Sequence, residues 1–281
     1  MEYIVKYHSV NEYKNYVKEG ILEYLILPEN NNNQIVSDWK IKNSAKLETF
    51  YYQNIFGFRI CRIRLPHYCS TFLLDMEVKV KKNKLGIVSG VILSNEECFQ
   101  ILNEPSFFIE NHLFIQKSKF ANLSVAQIET FPAYSPSQHL YYYLRDLNTA
   151  VYNFFTYTSG LTNVHTDASE VFELKKGVCQ DYSHVFISVA RHYGIPTRYV
   201  SGYLHQGMGY VGAAQMHAWV ECLIPGAGWI GFDPTNHLQS DEHYIKAAHG
   251  CDYADCAPLK GVVRTNGSQI TNHSVVVQAQ L

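Results

Sequence analysis

The segment Gly177-Val178-Cys179-Gln180-Asp181-Tyr182-Ser183-His184 constrains this chain more than any other, because it puts a thiol where a helix begins. Tyr182, Val185, Phe186, Val189 and Tyr193 recur at steps of three and four, the spacing of one apolar helix face. Gly194 and Pro196 supply the stop. Cys179 therefore sits in the first turn, where unpaired N–H groups and the positive end of the helix dipole favour a thiolate. A free cysteine is most often a small buried apolar residue, and seven are present. Position alone does not make a nucleophile; a base and an orienting acid must accompany it.

Met216 to Ile224 alternates like a strand, with His217, Trp219, Glu221 and Leu223 on one face. The turn-rich break Pro225-Gly226-Ala227-Gly228 leads into Trp229-Ile230-Gly231-Phe232-Asp233-Pro234-Thr235-Asn236, and the two runs read as an antiparallel hairpin. His217 near the start of one strand then lies opposite Asp233 near the end of the other. A thiol, an imidazole and a carboxylate occur in that chain order. Asp181 is a second carboxylate near the thiol, but a carboxylate in the first turn of a helix is accounted for by the dipole. His184 lies more than a turn past Cys179 and points elsewhere.

These blocks, with Gly194-Ile195-Pro196-Thr197-Arg198-Tyr199-Val200-Ser201-Gly202-Tyr203 between them, resemble the bacterial transglutaminase-like superfamily. The resemblance implies a papain-like Cys-His-Asp core, with Cys179 as nucleophile, His217 as base and Asp233 as the acid that orients it. It also implies an N-terminal β-rich domain, which similar proteins often carry. The run His243 to Asp255 resembles a segment that in similar proteins contains Gly-Arg-Asp-Tyr-Ala-Asp. Here Cys251 stands where the arginine is usual, so any contact made by that guanidinium is not carried over.

The fold class expected is α+β. An N-terminal all-β, sandwich-like domain over residues 1–105 precedes a transglutaminase-like, papain-like α+β domain with an antiparallel sheet over 106–281. Strand patterns run over Tyr3 to His8, Ile21 to Leu27, Phe58 to Leu65, Phe72 to Val80 and Leu85 to Leu93. Residues 106–136 read as a connector with a helix or two, and His139 to Thr158 as an aromatic amphipathic helix. Asp167 and Glu170 have the spacing of a capping box that starts a short helix before Gly177. Arg198 to Leu204 continues the sheet, and His205 to Gln215, with three glycines, reads as a loop over the cleft or a flexible surface turn. Gly261 to Arg264 and Gln269 to Gln280 flank Asn266-Gly267, the pattern of a closing hairpin with a type I′ turn.

A net charge of −2 without a basic block excludes nucleic acid and anionic membrane as expected partners. No apolar run approaches ~20 residues, so no membrane span is expected. The start, Met1-Glu2-Tyr3-Ile4-Val5-Lys6, lacks the apolar core of a signal peptide. Seven cysteines at scattered spacings fit a reduced, cytoplasmic protein. His243, His249, Cys251, Asp252 and Cys256 form the nearest thing to a metal set, but no second cysteine pair completes a zinc pattern. No metal and no cofactor are expected.

The expected chemistry is thiol-dependent acyl transfer on an amide of a peptide or protein, with hydrolysis by a cysteine protease or amidase first. Transfer to an amine, as in a protein-glutamine transglutaminase or an arylamine-type acyltransferase, and a non-catalytic assembly protein stay open. The oligomeric state is not legible. Cys179 should react with iodoacetamide faster than the other six cysteines at pH ~6, where an ordinary thiol of pKa ~8.5 is mostly protonated. Site-resolved mass spectrometry that places Cys179 among the slowest would remove it as the nucleophile.

Overall fold

The computed structural model describes residues 1–83 and 93–280. Six strands come first: β1 (Glu2–Val17), β2 (Glu19–Tyr24), β3 (Gln34–Asn43), β4 (Thr49–Gln53), β5 (Arg59–Leu65) and β6 (Cys69–Lys82). Helices α1 (Asn95–Leu102), α2 (Pro105–Asn111), α3 (Val125–Ile128) and α4 (Leu140–Phe154) follow. Next come β7 (Thr156–Tyr157), α5 (Ala168–Leu174), β8 (Lys176–Gly177) and α6 (Cys179–His192). The remaining elements are β9 (Thr197–Leu204), β10 (His217–Ile224), β11 (Gly228–Asp233), β12 (Leu238–Gln239), β13 (Tyr244–Gly250), α7 (Tyr253–Cys256), β14 (Leu259–Arg264) and β15 (Gln269–Gln280).

Two four-stranded sheets, ordered β15-β1-β6-β3 and β14-β2-β5-β4, make the β domain. Their alternation follows from burial: Phe72, Leu74, Met76, Val78 and Val80 of β6 point inward, as do Cys61, Ile63 and Leu65 of β5. Full burial of side chains of this size contributes roughly 1.5–3 kcal/mol each, which fixes the register of both sheets. The strand pattern over β5 and β6 is as expected. The edge strands are less covered: Val36, Trp39 and Ile41 of β3 are only partly buried against this core, and Phe50, Tyr51 and Tyr52 of β4 are exposed. The strand expected over 85–93 lies outside the described residues.

The second unit is a five-stranded antiparallel sheet, β12-β11-β10-β9-β13, with α6 laid across it. Every residue of α6 from Gln180 to Arg191 is buried, because α4 and α5 cover the side of the helix that the sheet does not. The long aromatic helix expected before the nucleophile is α4, and the box of Asp167 and Glu170 caps α5.

Two expectations are corrected here. β14 and β15 do not form a hairpin: β14 pairs with β2 and β15 with β1, one in each sheet of the β domain. A type I′ turn needs positive φ at both central residues, and neither Asn266 nor Gly267 has it. The division at residue 105 does not follow the sheets either, because the last two strands belong with β1 and β2. The cores also interlock. Tyr203, Ile245 and Ala247 of the five-stranded sheet pack into the core of the β domain. Tyr203 donates its hydroxyl to Ile26 O at 2.5 Å, and the Gln34 amide holds both backbone groups of Lys246, at 2.7 and 3.0 Å.

A fragment of residues 106–281 therefore carries two strands without partners and three apolar residues without a cover. It should bind a hydrophobic dye and lose the cooperative urea transition of the intact chain. A fragment that melts cooperatively with the intact protein's midpoint would overturn this account of the interface.

Candidate active site

The turn that presents Cys179 is built from its neighbours. α5 ends on Lys175 in the left-handed region, at φ 51°, and Gly177 leads into Val178. A Cβ on Gly177 would come within 2.6 Å of Asp181 Oδ2, so only glycine lets that carboxylate fold back over the helix start. Asp181 Oδ2 accepts from Val178 N at 2.8 Å and from Thr162 Oγ1 at 2.7 Å. Burial pushes the Asp181 carboxyl up, and these two hydrogen bonds only partly offset the push. Asp181 therefore pins the first turn of α6, the structural role that its position in the sequence indicates.

His217, the first residue of β10, is fully buried, and its Nε2 donates to Asp233 Oδ2 at 2.8 Å. The two are diagonal neighbours rather than opposite ones, since the register Val220 to Phe232 continues to Trp219 and Asp233. Asp233 collects five donors among the described residues. Asn236 Nδ2 at 2.8 Å and the Tyr244 hydroxyl at 2.9 Å join His217 on Oδ2, while Oδ1 accepts from the backbone N–H groups of Thr235 at 2.9 Å and Asn236 at 3.2 Å. Burial alone would raise the Asp233 carboxyl, but the His217 charge and these side-chain donors outweigh it and hold it below the usual carboxylate range. Burial alone would likewise lower His217. The Asp233 charge, the hydrogen bond to it and the neighbouring Cys179 outweigh burial and favour the imidazolium. Among the described residues Nδ1 has no hydrogen-bond partner, and the ring lines the same cleft as Cys179. The imidazole is thus held from one nitrogen by a carboxylate and left with the other free.

The ring is also supported in its plane. Trp219 lies nearly parallel to it at 6.4 Å between centroids, and packs edge-on to Tyr244 at 5.3 Å. Space for that indole comes from Gly202: a Cβ there would meet Trp219 Cη2 at 2.6 Å and overlap Ile245 O. Further along the same face, Glu221 Oε2 is shared by Arg198 Nε and Lys246 Nζ, each at 2.6 Å. Burial opposes the Glu221 charge, but the two cations prevail and hold it down at about 2.

Sequence reasoning missed three members of this site. Tyr244 and Gly212 are distant in the chain from what they touch, and nothing local marks them. A Cβ on Gly212 (φ 89°) would come within 2.7 Å of His217 Nδ1, so a glycine is required against the base. Asn236 was visible as part of the Asp-Pro-Thr-Asn run, though not as a donor to Asp233. It also ties down the loop expected over the cleft, accepting from Val211 N at 2.8 Å. Ala214 O accepts from Val275 N at 3.0 Å, and Gln206 Nε2 donates to Val275 O at 2.8 Å, so this loop is stitched to β15.

The other chemistry-bearing residues go to separate places. His184 Nε2 accepts from Tyr253 N at 3.2 Å, and burial lowers its pKa to about 4, so it stays neutral. His243 Nδ1 meets the Tyr3 hydroxyl at 3.0 Å, and His249 packs edge-on to Phe58 at 4.8 Å. Asp252 caps α7 through Ala254 N at 2.8 Å, and Cys256 is buried. Cys251, in place of the family's arginine, donates its thiol to Leu113 O at 3.3 Å, and its carbonyl accepts from the buried Arg191 at 2.7 Å. Among the described residues, no group of three or more His, Cys, Asp or Glu side chains gathers in metal-binding positions.

The geometry fixes the direction of a pH effect. With Asp233→Asn the charge that favours the imidazolium is gone, burial then dominates, and the pKa of His217 falls. A neutral ring supports a thiolate less than a charged one, so alkylation of Cys179 at pH ~6 should slow about tenfold. The loss should vanish in the His217→Ala background, because Asp233 acts through that ring. Equal slowing in both backgrounds, measured by rate against pH, would reduce Asp233 to a residue of the turn.

Comparison with known proteins agrees with this architecture. Residues 131–234 match the transglutaminase-like superfamily. An uncharacterized protein of Mycobacterium tuberculosis is 38% identical over 144 residues, which cover 48% of this chain and 46% of the relative. A protein-glutamine gamma-glutamyltransferase of Pseudomonas aeruginosa is 38% identical over 71 residues, covering 23% of this chain and 11% of the relative. A crystal structure from Cytophaga hutchinsonii, named provisionally as a cysteine protease, superposes with a TM-score of 0.76 at 22% identity, over 99% of this chain and 91% of that one. The match to the mycobacterial relative thus spans less than half of that relative's length. The mixed fold and the family match converge: the chain carries a domain of the transglutaminase-like superfamily over residues 131–234.

Proposed function

We propose that this chain is a thiol-dependent acyl-transfer enzyme acting on amide bonds, with Cys179 as nucleophile, His217 as base and then acid, and Asp233 as the group that orients His217. The observation that carries the reading is the fully buried His217 imidazole bonded to the Asp233 carboxylate and sharing one cleft lining with Cys179. The thiolate Sγ attacks the amide carbonyl carbon, and negative charge collects on the carbonyl oxygen. The Cys179 N–H at the head of α6 is one donor for that oxygen. Gln180 supplies the second: its side chain lines the cleft, and its Nε2 is buried without a partner among the described residues. As the C–N bond breaks, the imidazolium passes its proton to the leaving amine, and a thioester remains on Cys179. Water then attacks, giving its proton to His217. The C–S bond breaks, releasing a carboxylic acid and restoring the thiolate.

Hydrolysis, as by a cysteine protease or amidase, is the first reading, supported by the fold shared with the Cytophaga hutchinsonii structure. Transfer to an amine is the second, supported by the 71-residue similarity to the gamma-glutamyltransferase. A peptide or protein is the substrate in either case. A cytoplasmic setting belongs to the same proposal, and the seven free thiols support it.

The test uses p-nitrophenyl acetate. The protein should release p-nitrophenol with a burst that Cys179→Ala abolishes. Gln180→Ala should slow the burst about 10²-fold, as loss of an oxyanion donor does. It should leave iodoacetamide alkylation unchanged, because that reaction forms no oxyanion. Added n-butylamine distinguishes the acceptors: steady-state turnover that does not respond to it supports hydrolysis, and turnover that rises with it supports transfer. A burst that survives Cys179→Ala would overturn the proposal.

A further inference from the structure

Cys179 and His217 open into a single cleft of about 830 Å³ that does not stop at the five-stranded sheet. It runs into the mouth of the β domain, between the edge strands β14 and β15, and reaches Tyr7, Asn11 and Tyr13 of β1. The cleft-facing residues of the two edge strands, such as Val263, Thr271 and His273, form its sides. Among the described residues that line this cleft there is no Asp, Glu, Lys or Arg. In the mouth of the β domain, neutral polar groups are linked to one another. Thr271 Oγ1 donates to Asn11 Oδ1 at 2.9 Å, and Asn11 Nδ2 donates to the Tyr24 hydroxyl at 3.0 Å. His273 stacks on Tyr7 at 6.1 Å, and burial lowers its pKa, which keeps the ring uncharged.

We infer that the mouth of the β domain is a substrate subsite that takes an uncharged side chain, aromatic or amide, on the acyl side of the bond attacked by Cys179. The inference rests on the proposed acyl transfer and adds the class of substrate. The acyl half stays on sulfur while the amine leaves, so it is the half that needs a walled site through both steps. A tyrosine, glutamine or asparagine side chain finds rings to stack on and hydroxyls that can turn to donate or accept. A lysine or glutamate entering the same space leaves water and meets no counter-charge.

The experiment uses capped dipeptidyl vinyl sulfones that differ only in the residue before the reactive glycine: Tyr, Gln, Lys or Glu. In these probes the thiolate adds to the alkene and His217 protonates the adjacent carbon, so labelling reads access to Cys179. The neutral probes should label at least about tenfold faster than either charged one, the least expected for an uncompensated charge leaving water. Thr271 is exposed on β15 and lines the cleft, so a charge placed there faces both water and the probe. Thr271→Glu should therefore raise labelling by the Lys probe and not by the Glu probe, and Thr271→Lys should do the reverse. Equal labelling by all four probes, or no response to the two variants, while iodoacetamide still selects Cys179, overturns the subsite and leaves the thiol chemistry standing. Failure of iodoacetamide to select Cys179 removes both.

Discussion

A fully buried carboxylate stays charged only when nearly every lone pair is met, and the site depends on that condition at Asp233. Its five donors come from three places: His217 of β10, the turn that Asp233 itself begins, and Tyr244 of β13. The strand order β11-β10-β9-β13 puts two strands between Asp233 and Tyr244, so the hydroxyl reaches across the sheet. Bringing these groups together requires the whole sheet in register. The charge on His217 then follows from the charge on Asp233. Trp219, seated over Gly202, keeps the ring from tilting out of that line.

The thiol, imidazole and carboxylate of the proposed site were legible because each is local. A helix that begins at Cys179, a strand that begins at His217 and a strand that ends at Asp233 each announce themselves within ten residues or so, through periodicity and turn chemistry. The resemblance to a known superfamily drew on the same blocks. What was not legible is what depends on distant pairing. β4 is an edge strand with an exposed face, so burial writes little alternation into it. β14 and β15 look like partners because a turn joins them, yet each finds a longer or better-covered ladder elsewhere. The role of Gln34 illustrates the limit: a polar side chain in a polar strand turns out to satisfy both backbone groups of Lys246. Nothing near Gln34 in the chain could indicate it.

The β domain is therefore part of the site in a physical sense. Tyr203, Ile245 and Ala247 leave one sheet to enter the core of another, and the loop that places Gly212 against His217 is fastened to β15. A charged residue at this interface would need a partner, and the Arg198, Glu221 and Lys246 group shows the form such pairing takes here, with one carboxylate oxygen serving two cations.

The pairing of β1 with β15 has a kinetic side. Tyr3 lies across from Ala279, and β1 runs beside β15 for most of its length, so strands made first wait for strands made last. Local units such as the β10–β11 turn and the helices around α6 can close early, since short loops cost little entropy and contacts near in sequence form fast. During synthesis the helix bearing the thiol and the strand bearing its base leave the ribosome before the second wall of their cleft exists. A half-made chain holds the reactive groups without the enclosure that selects what reaches them. Selectivity would then arrive only when the final strand docks.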